Sequence, residues 1–214
     1  RFFHRESYQY CGAIHEQLEA REGPRAEALT GLRVIHSGYA QSYDDPAHKA
    51  LRNIPLLQHA IESDPLNEYY WYQLGIAQYS IKNYAHAIEA LAEAERRIDF
   101  THPIPTGSQG PLARAVLTNL ATSLAYAYVN MNQMEQACSV LERHLELGHI
   151  GTQRADFPHV LGYTYLMIGE IDNAQAAYEA SLDFGAEHED VQGTGSYASH
   201  FHLGLLAEAV HDLP

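Results

Sequence analysis

Cysteine is scarce in this chain of 214 residues: only Cys11 and Cys138 occur. They lie far apart in segments of different character, so a disulfide framework is not expected and the reducing cytoplasm is the default compartment. Cys138, beside Ala137 among helix-forming residues, reads as a buried free thiol. Basic residues are also few, 13 Lys and Arg against 27 Asp and Glu, for a formal charge of -14. Nucleic acid and anionic membranes both reward clustered cations, so neither is an expected partner. No run of some 18 apolar residues is present, which leaves no membrane span to expect, and no signal peptide is visible. The chain has no Cys-x-x-Cys pair, no phosphate-cradling glycine loop and no G-x-S-x-G elbow. Fourteen histidines are present, notably His200 with His202 and His144 with His149. Residues i and i+2 of a helix point to different sides, so His200 and His202 do not converge on one ion.

What is there is a repeated spacing. Trp71, Leu74, Gly75, Ala87, Leu91 and Ala94 form one register, and Leu124, Ala125, Tyr128, Ala137 and Leu141 form a second. Leu161, Gly162, Tyr165, Ala174 and Tyr178 form a third. A small residue follows each leading Leu, where it lets a first helix approach a second. An Ala 13 residues after that Leu does the same from the other side, since 74 to 87, 124 to 137 and 161 to 174 are equal steps. The pattern resembles the tetratricopeptide (TPR) repeat, with Pro65 closing the unit before. The resemblance implies a mostly α fold, a right-handed TPR-type α-α superhelix, in which each helix pair buries its apolar stripe against the next. The leading Leu residues at 74, 124 and 161 stand 50 and 37 apart, where about 34 is usual. Insertions must therefore lie between units. Residues Phe100 to Pro111 and Gly148 to Phe157, rich in Gly, Pro and polar side chains, read as those loops. A partial fourth unit is expected from Tyr197, with Leu203 and Gly204 in the Leu-Gly slot, after a loop from Phe184 to Ser196. Gly193-Thr194-Gly195-Ser196 follows no strand and reads as an interhelical linker.

The first 40 residues keep a different rhythm. Phe3, Tyr8, Tyr10, Ile14, Leu32 and Val34 are aromatic or β-branched and alternate loosely with polar residues, which predicts short strands. A hairpin is expected around Glu6 and Ser7, with a further strand at Leu32 to His36. Gly23-Pro24 punctuates the turn between them. From Asp44 the sequence Asp-Pro-Ala predicts a helix start, with Asp45 able to cap and Pro46 in the first turn. Leu51, Ile54, Leu57, Ala60 and Ile61 mark its apolar face, and Pro55 is expected to kink or interrupt it. The expected organisation is a short β-rich segment at 1–43, a connecting helix at 44–65, and helical repeats over 66–214, about three full and one partial. The opening Arg1, with no methionine before it, suggests a piece of a longer protein.

The first segment carries a second resemblance. Arg1-Phe2-Phe3, then Tyr10-Cys11-Gly12-Ala13-Ile14-His15-Glu16-Gln17, is similar to the closing motif of family 2 glycosyltransferase domains. Ile35-His36-Ser37-Gly38-Tyr39, followed by Lys49, Arg52 and Asn53, resembles its continuation in bacterial members that carry TPRs behind the catalytic domain. About 60 residues are covered. The resemblance implies a parent enzyme using a nucleotide sugar, with a divalent cation, manganese or magnesium, bridging the diphosphate as a Lewis acid. It would put His15 near the diphosphate and metal, His15 being a plausible extra ligand to manganese, with Glu16 and Gln17 shaping the pocket wall. The Asp-x-Asp metal motif of the family is absent from this chain. The chain as given is accordingly expected to have no catalytic residues and no activity of its own.

In repeat register the groove-facing positions of the first helices are Tyr69, Tyr72, Ile76 and Tyr79, then Asn119, Thr122, Tyr126 and Asn130, then His159, Tyr163 and Met167. Such positions line the concave face of a TPR superhelix. Ring faces and amides suit an extended peptide or glycan. The lysines and arginines that clamp a carboxylate tail are missing, so an acidic chaperone tail is not the expected ligand. Two functional readings stand: a scaffold that binds a protein or peptide in its groove, perhaps the acceptor of the transferase, and a purely structural or dimerising array with no ligand.

Overall fold

A computed structural model describes residues 6–11, 17–23, 46–98, 114–147 and 154–211. Among the described residues, two short strands, β1 (Tyr8–Cys11) and β2 (Gln17–Ala20), precede eight α-helices. These are α1 (Pro46–Ser63), α2 (Glu68–Ser80), α3 (Tyr84–Arg97), α4 (Arg114–Asn130), α5 (Met134–Glu146), α6 (Asp156–Ile168), α7 (Ile171–Phe184) and α8 (Tyr197–His211). A turn of 3-10 helix at Ala186–His188 lies between α7 and α8. Among the described residues, no helix is long and apolar enough to cross a membrane.

The strands pair antiparallel, with Tyr8 opposite Ala20 and Cys11 opposite Gln17. The chain therefore reverses between Cys11 and Gln17, not at Glu6 and Ser7, which form a turn leading into β1. Alternation announces a strand, but the reversal point depends on turn residues that a loose period of two does not locate. The strand expected at Leu32 to His36, the cap at Asp45 and the loop at Phe100 to Pro111 lie outside the described residues.

Helices α2 with α3, α4 with α5, and α6 with α7 are the three pairs marked by the repeated spacing. Each first helix is tight against its partner for the same reason. A Cβ built on Gly75 would stand 2.4 Å from Leu91 Cγ, and one on Gly162 would stand 3.0 Å from Tyr178 Cδ1. Ala125 and Leu141, both fully buried, hold the same slots in the middle pair. Ala87, Ala137 and Ala174 are all at 0% exposure, so the small residue of the second helix is equally enclosed. A fully buried Leu contributes about 1.5–3 kcal/mol, and Leu91, Leu117, Leu120, Leu124 and Leu141 all lie in this interior.

The turn inside each pair also repeats. Lys82 (φ 61°), Asn132 (φ 58°) and Gly169 (φ 87°) are left-handed. Asn83 N–H donates to the Gln78 carbonyl, Gln133 N–H to Tyr128, and Glu170 N–H to Tyr165, each at 2.9 Å. Together with the bonds from Lys82, Asn132 and Gly169 to Tyr79, Val129 and Leu166, this is a Schellman ending on all three first helices. Each turn thus aims the second helix in the same direction.

Between pairs, α3 packs on α4, α5 on α6 and α7 on α8. Glu95 of α3 reaches the next second helix, accepting from Arg143 Nη2 at 2.5 and 2.6 Å and lying 2.6 Å from His144 Nε2. Burial opposes ionisation of Glu95, but the His144 and Arg143 bonds outweigh it and hold the carboxyl below its ordinary range. Before α2, Trp71 Nε1 and Arg97 Nε both donate to the Pro65 carbonyl at 2.9 and 2.7 Å. The Arg97 guanidinium sits 4.8 Å over the Trp71 ring, a cation–π contact.

Helix α1 packs on α2 through Ala50, Leu57 and Ile61 against Leu74 and Ala77. Leu51 is 58% exposed, so Ala50 takes the place assigned to it on the apolar face. The helix runs through Pro55 without interruption. Proline deprives the Leu51 carbonyl of its helical donor, yet both residues are exposed, so water can take that carbonyl. Buried Leu57, Ala60 and Ile61 carry the helix on past it. Helix α6 starts at Asp156 and Phe157 is only 2% exposed, so the preceding loop stops short of Phe157. Its ring belongs to the core with Val160 and Leu161.

Gly204 of α8 occupies the slot of Gly75 and Gly162, but a Cβ there meets nothing within 4 Å. The same substitution therefore has opposite signs at the two sites. Overpacking costs about 1–3 kcal/mol, against about 1 kcal/mol gained in helix propensity. Gly75→Ala is expected to lower the denaturation midpoint and Gly204→Ala to raise it, as read by urea unfolding of the two variants beside the parent chain.

Candidate functional site

The first helices touch one another, α2 with α4 and α4 with α6, and so form the inner layer of the array. Tyr72 is only 8% exposed; burial pushes its hydroxyl up to about 12, helped by Tyr69 and Asp190 and opposed by a hydrogen bond with Asn119. Tyr69 packs near it, ring centroids 6.3 Å apart. Tyr79, half-buried, meets the Tyr84 ring edge-on at 5.5 Å and is hydrogen-bonded to Asn130. Asn130 Nδ2 also donates to the Tyr126 carbonyl at 2.7 Å. Burial, then Asp156, raises the Tyr126 hydroxyl above its ordinary range. The structure thus brings Tyr69, Tyr72, Tyr79, Asn119, Tyr126 and Asn130 onto one face of α2 and α4.

His159 and Tyr163 stand elsewhere, beneath α8. The His159 ring meets Tyr178 edge-on at 5.5 Å, and His202 stacks flat on Tyr178 at 4.9 Å. Tyr163 meets His202 at 6.0 Å. Ser199 Oγ donates to the Thr194 carbonyl at 2.6 Å and lies 2.8 Å from His159 Nδ1. With its proton committed to that carbonyl, the serine accepts from His159, which places the proton of the neutral ring on Nδ1. Burial, with His202 nearby, lowers His159 to about 4. Of the residues assigned by resemblance, His15 and Glu16 lie outside the described residues, and Gln17 is the first residue of β2. Cys138 is a buried free thiol, raised by burial to about 11.

One part of this face had no herald in the repeats. Asp156, the first residue of α6 and 5% exposed, accepts from the backbone N–H of Asp190 and Val191 at 2.8 and 2.7 Å. Glu189 accepts from Gly193 and Gly195 N–H at 2.8 and 3.0 Å, and these bonds hold its carboxyl below the usual range. The Gly-Thr-Gly-Ser stretch is accordingly a linker knotted by its own acidic neighbour. These bonds fold the 189–196 loop onto the inner layer, where Asp190 and Val191 join Tyr79, Asn119 and Tyr126 around a cavity of about 260 Å³. The sequence signal was Glu189-Asp190 shortly ahead of four small residues, Gly193 to Ser196, and nothing in it named Asp156 as the partner.

Residues 119–147 match the tetratricopeptide repeat model. No curated protein sequence matches the chain. Among solved structures it is similar to YrrB, described as a TPR protein with an unusual peptide-binding site, at 16% identity and TM-score 0.56 over 77% of this chain and 71% of that one. MamA from Desulfovibrio magneticus RS-1 is similar at 16% and 0.56, covering 78% and 82%. BtubC from P. vanneervenii is similar at 16% and 0.54, covering 80% and 68%. Helix pairing and these likenesses agree on the architecture: the fold is a TPR-type solenoid, and residues 119–147 carry the repeat's own signature.

The His159 environment fixes a pH response. Its folded-state value, about 4, lies below the unfolded value near 6.5, so the unfolded chain binds the extra proton. Stability is then full above pH 6.5 and falls as pH drops from 6.5 toward 4, by an amount on the order of 2–3 kcal/mol. Thermal unfolding at pH 7.0 and 4.5 should show this loss, and His159→Gln should flatten the profile.

Proposed function

We propose that the chain is a protein-interaction module whose inner helices hold an extended polypeptide segment. The observation that carries this reading is the continuous layer of α2, α4 and α6, which presents the exposed Asn119 and Asn130 amides beside the half-buried Tyr79 and Tyr126 rings. Amides read a peptide backbone as donor and acceptor at once, and tyrosine offers wide contact area at low entropic cost. YrrB, of the same fold, is described as having a peptide-binding site, which supports that use of the architecture. Selection from a random peptide display library on the whole chain should enrich binders. Asn119→Ala with Tyr126→Phe should weaken them about tenfold, a loss of some 1.4 kcal/mol, in a chain that still unfolds cooperatively, its midpoint lowered because the buried Tyr72 hydroxyl loses Asn119. No enrichment from a chain that elutes as a tight dimer would establish the structural, dimerising reading instead.

The first-segment motif supports a further element of the proposal. In a family 2 glycosyltransferase the module would present an acceptor protein to the catalytic domain, and the parent would use a nucleotide sugar with manganese or magnesium. In a longer protein carrying this chain behind a strand-rich domain with an Asp-x-Asp motif, His15→Ala should sharply reduce sugar transfer. Undiminished transfer would remove the role given to His15.

A further inference from the structure

Helix α8 packs chiefly on α7, and few apolar side chains hold it there. Leu206 is 4% exposed and Leu203 is partly buried, both against Tyr178 and its neighbours. Phe201 and Leu205 face away and are exposed. Beside the two inward leucines the seam is made of titratable rings. His202 lies flat on the Tyr178 ring at 4.9 Å and stands 5.7 Å from the His159 ring. Ser199 Oγ, also on α8, accepts from His159 Nδ1 at 2.8 Å.

Two atoms of this seam are unanswered. Tyr178 Oη and His202 Nδ1 are both buried, and neither has a hydrogen-bond partner among the described residues. Tyr178 belongs to α7 and His202 to α8, so each orphan exists because the two helices meet. Docking of α8 carries the cost of both, and undocking removes it by letting water reach them.

The same rings are held neutral. Facing the two histidines are Asp156 and Tyr163 of α6, Tyr178 of α7 and Glu189 of the loop. Asp172, Glu179 and Asp183 of α7, with His200 and Glu208 of α8, are exposed. Asp156 and Glu189 favour a proton on His159, yet both are engaged by backbone N–H groups, and burial outweighs them. His159 stands at about 4, lowered by burial and then by His202, and burial lowers His202 as well. Releasing α8 uncovers both rings and returns them toward the ordinary value near 6.5. Because the docked values are the lower ones, docking is complete above pH 6.5 and weakens as the pH falls toward 4.

We infer that α8 is an acid-released cap: protonation of His159 and His202 undocks this helix from α6 and α7 while the helix pairs before it stay folded. The inference goes beyond the interaction-module reading and does not depend on it. His159 alone, at about 4 when docked, gives a rise in opening of about twentyfold between pH 7 and pH 5, and His202 adds to it.

Hydrogen exchange on the whole chain at pH 7.0 and 5.0, corrected for the intrinsic rate, tests this. Amides of α8 should lose protection at least about twentyfold, and those of α4 and α5 far less. His159→Asn sets an amide nitrogen in place of Nδ1, and His202→Phe keeps a flat ring on Tyr178. Together they should abolish the pH-dependent loss. Tyr178→Phe removes an orphan hydroxyl but no histidine proton, so it should raise α8 protection several-fold at both pH values and leave their ratio unchanged. The inference is overturned if α8 loses protection only in step with α4 and α5, if the loss persists in the double variant, or if Tyr178→Phe loosens α8 at pH 7.0.

Discussion

The whole array depends on one contact made three times: a small residue on a first helix against a large one on its partner. Gly75 under Leu91, Ala125 under Leu141 and Gly162 under Tyr178 set the helix separation. Widening it would open voids beside fully buried leucines, and narrowing it is blocked by van der Waals contact. Because the interval within each pair is fixed, the left-handed turn at Lys82, Asn132 and Gly169 repeats with it. The inner layer of tyrosines and asparagines is the outcome of that repetition, since identical pairs stacked side by side bring every first helix to the same surface.

This dependence explains what could be read from residues alone. Packing of small on large leaves Leu-Gly or Leu-Ala followed by Ala and a bulky residue, so three pairs and the start of α8 at Tyr197 were legible. Tyr72, Tyr79 and Tyr126 were placed on one surface by the same register. What escaped was decided by contacts distant in sequence. The 189–196 loop takes its position from Asp156, 34 residues before Asp190, and a polar stretch gives no hint of such a tether. Pro55 signals a break, but its exposure and the buried face of α1 outweigh local preference. Register put Thr122 on the groove, yet whether a hydroxyl finds a partner is a property of the folded neighbourhood.

Charge follows a parallel logic. Negative side chains on this molecule are not all idle surface: Glu95 links two second helices, Asp156 and Glu189 organise a loop, and Asp190 rims a cavity. The first three spend their oxygens on the protein's own donors. Asp190 is the one of the four left half-exposed beside an opening.

The bridge from Glu95 to Arg143 and His144 has a mechanical consequence. It joins the far ends of α3 and α5 directly, 48 and 49 residues apart, and so bypasses the intervening stretch at 99–113. The side-chain strut and the interlocked stripes therefore act together on the spacing between those units. A single carboxylate thus acts as a crossbar, resisting the sliding of one second helix along the next.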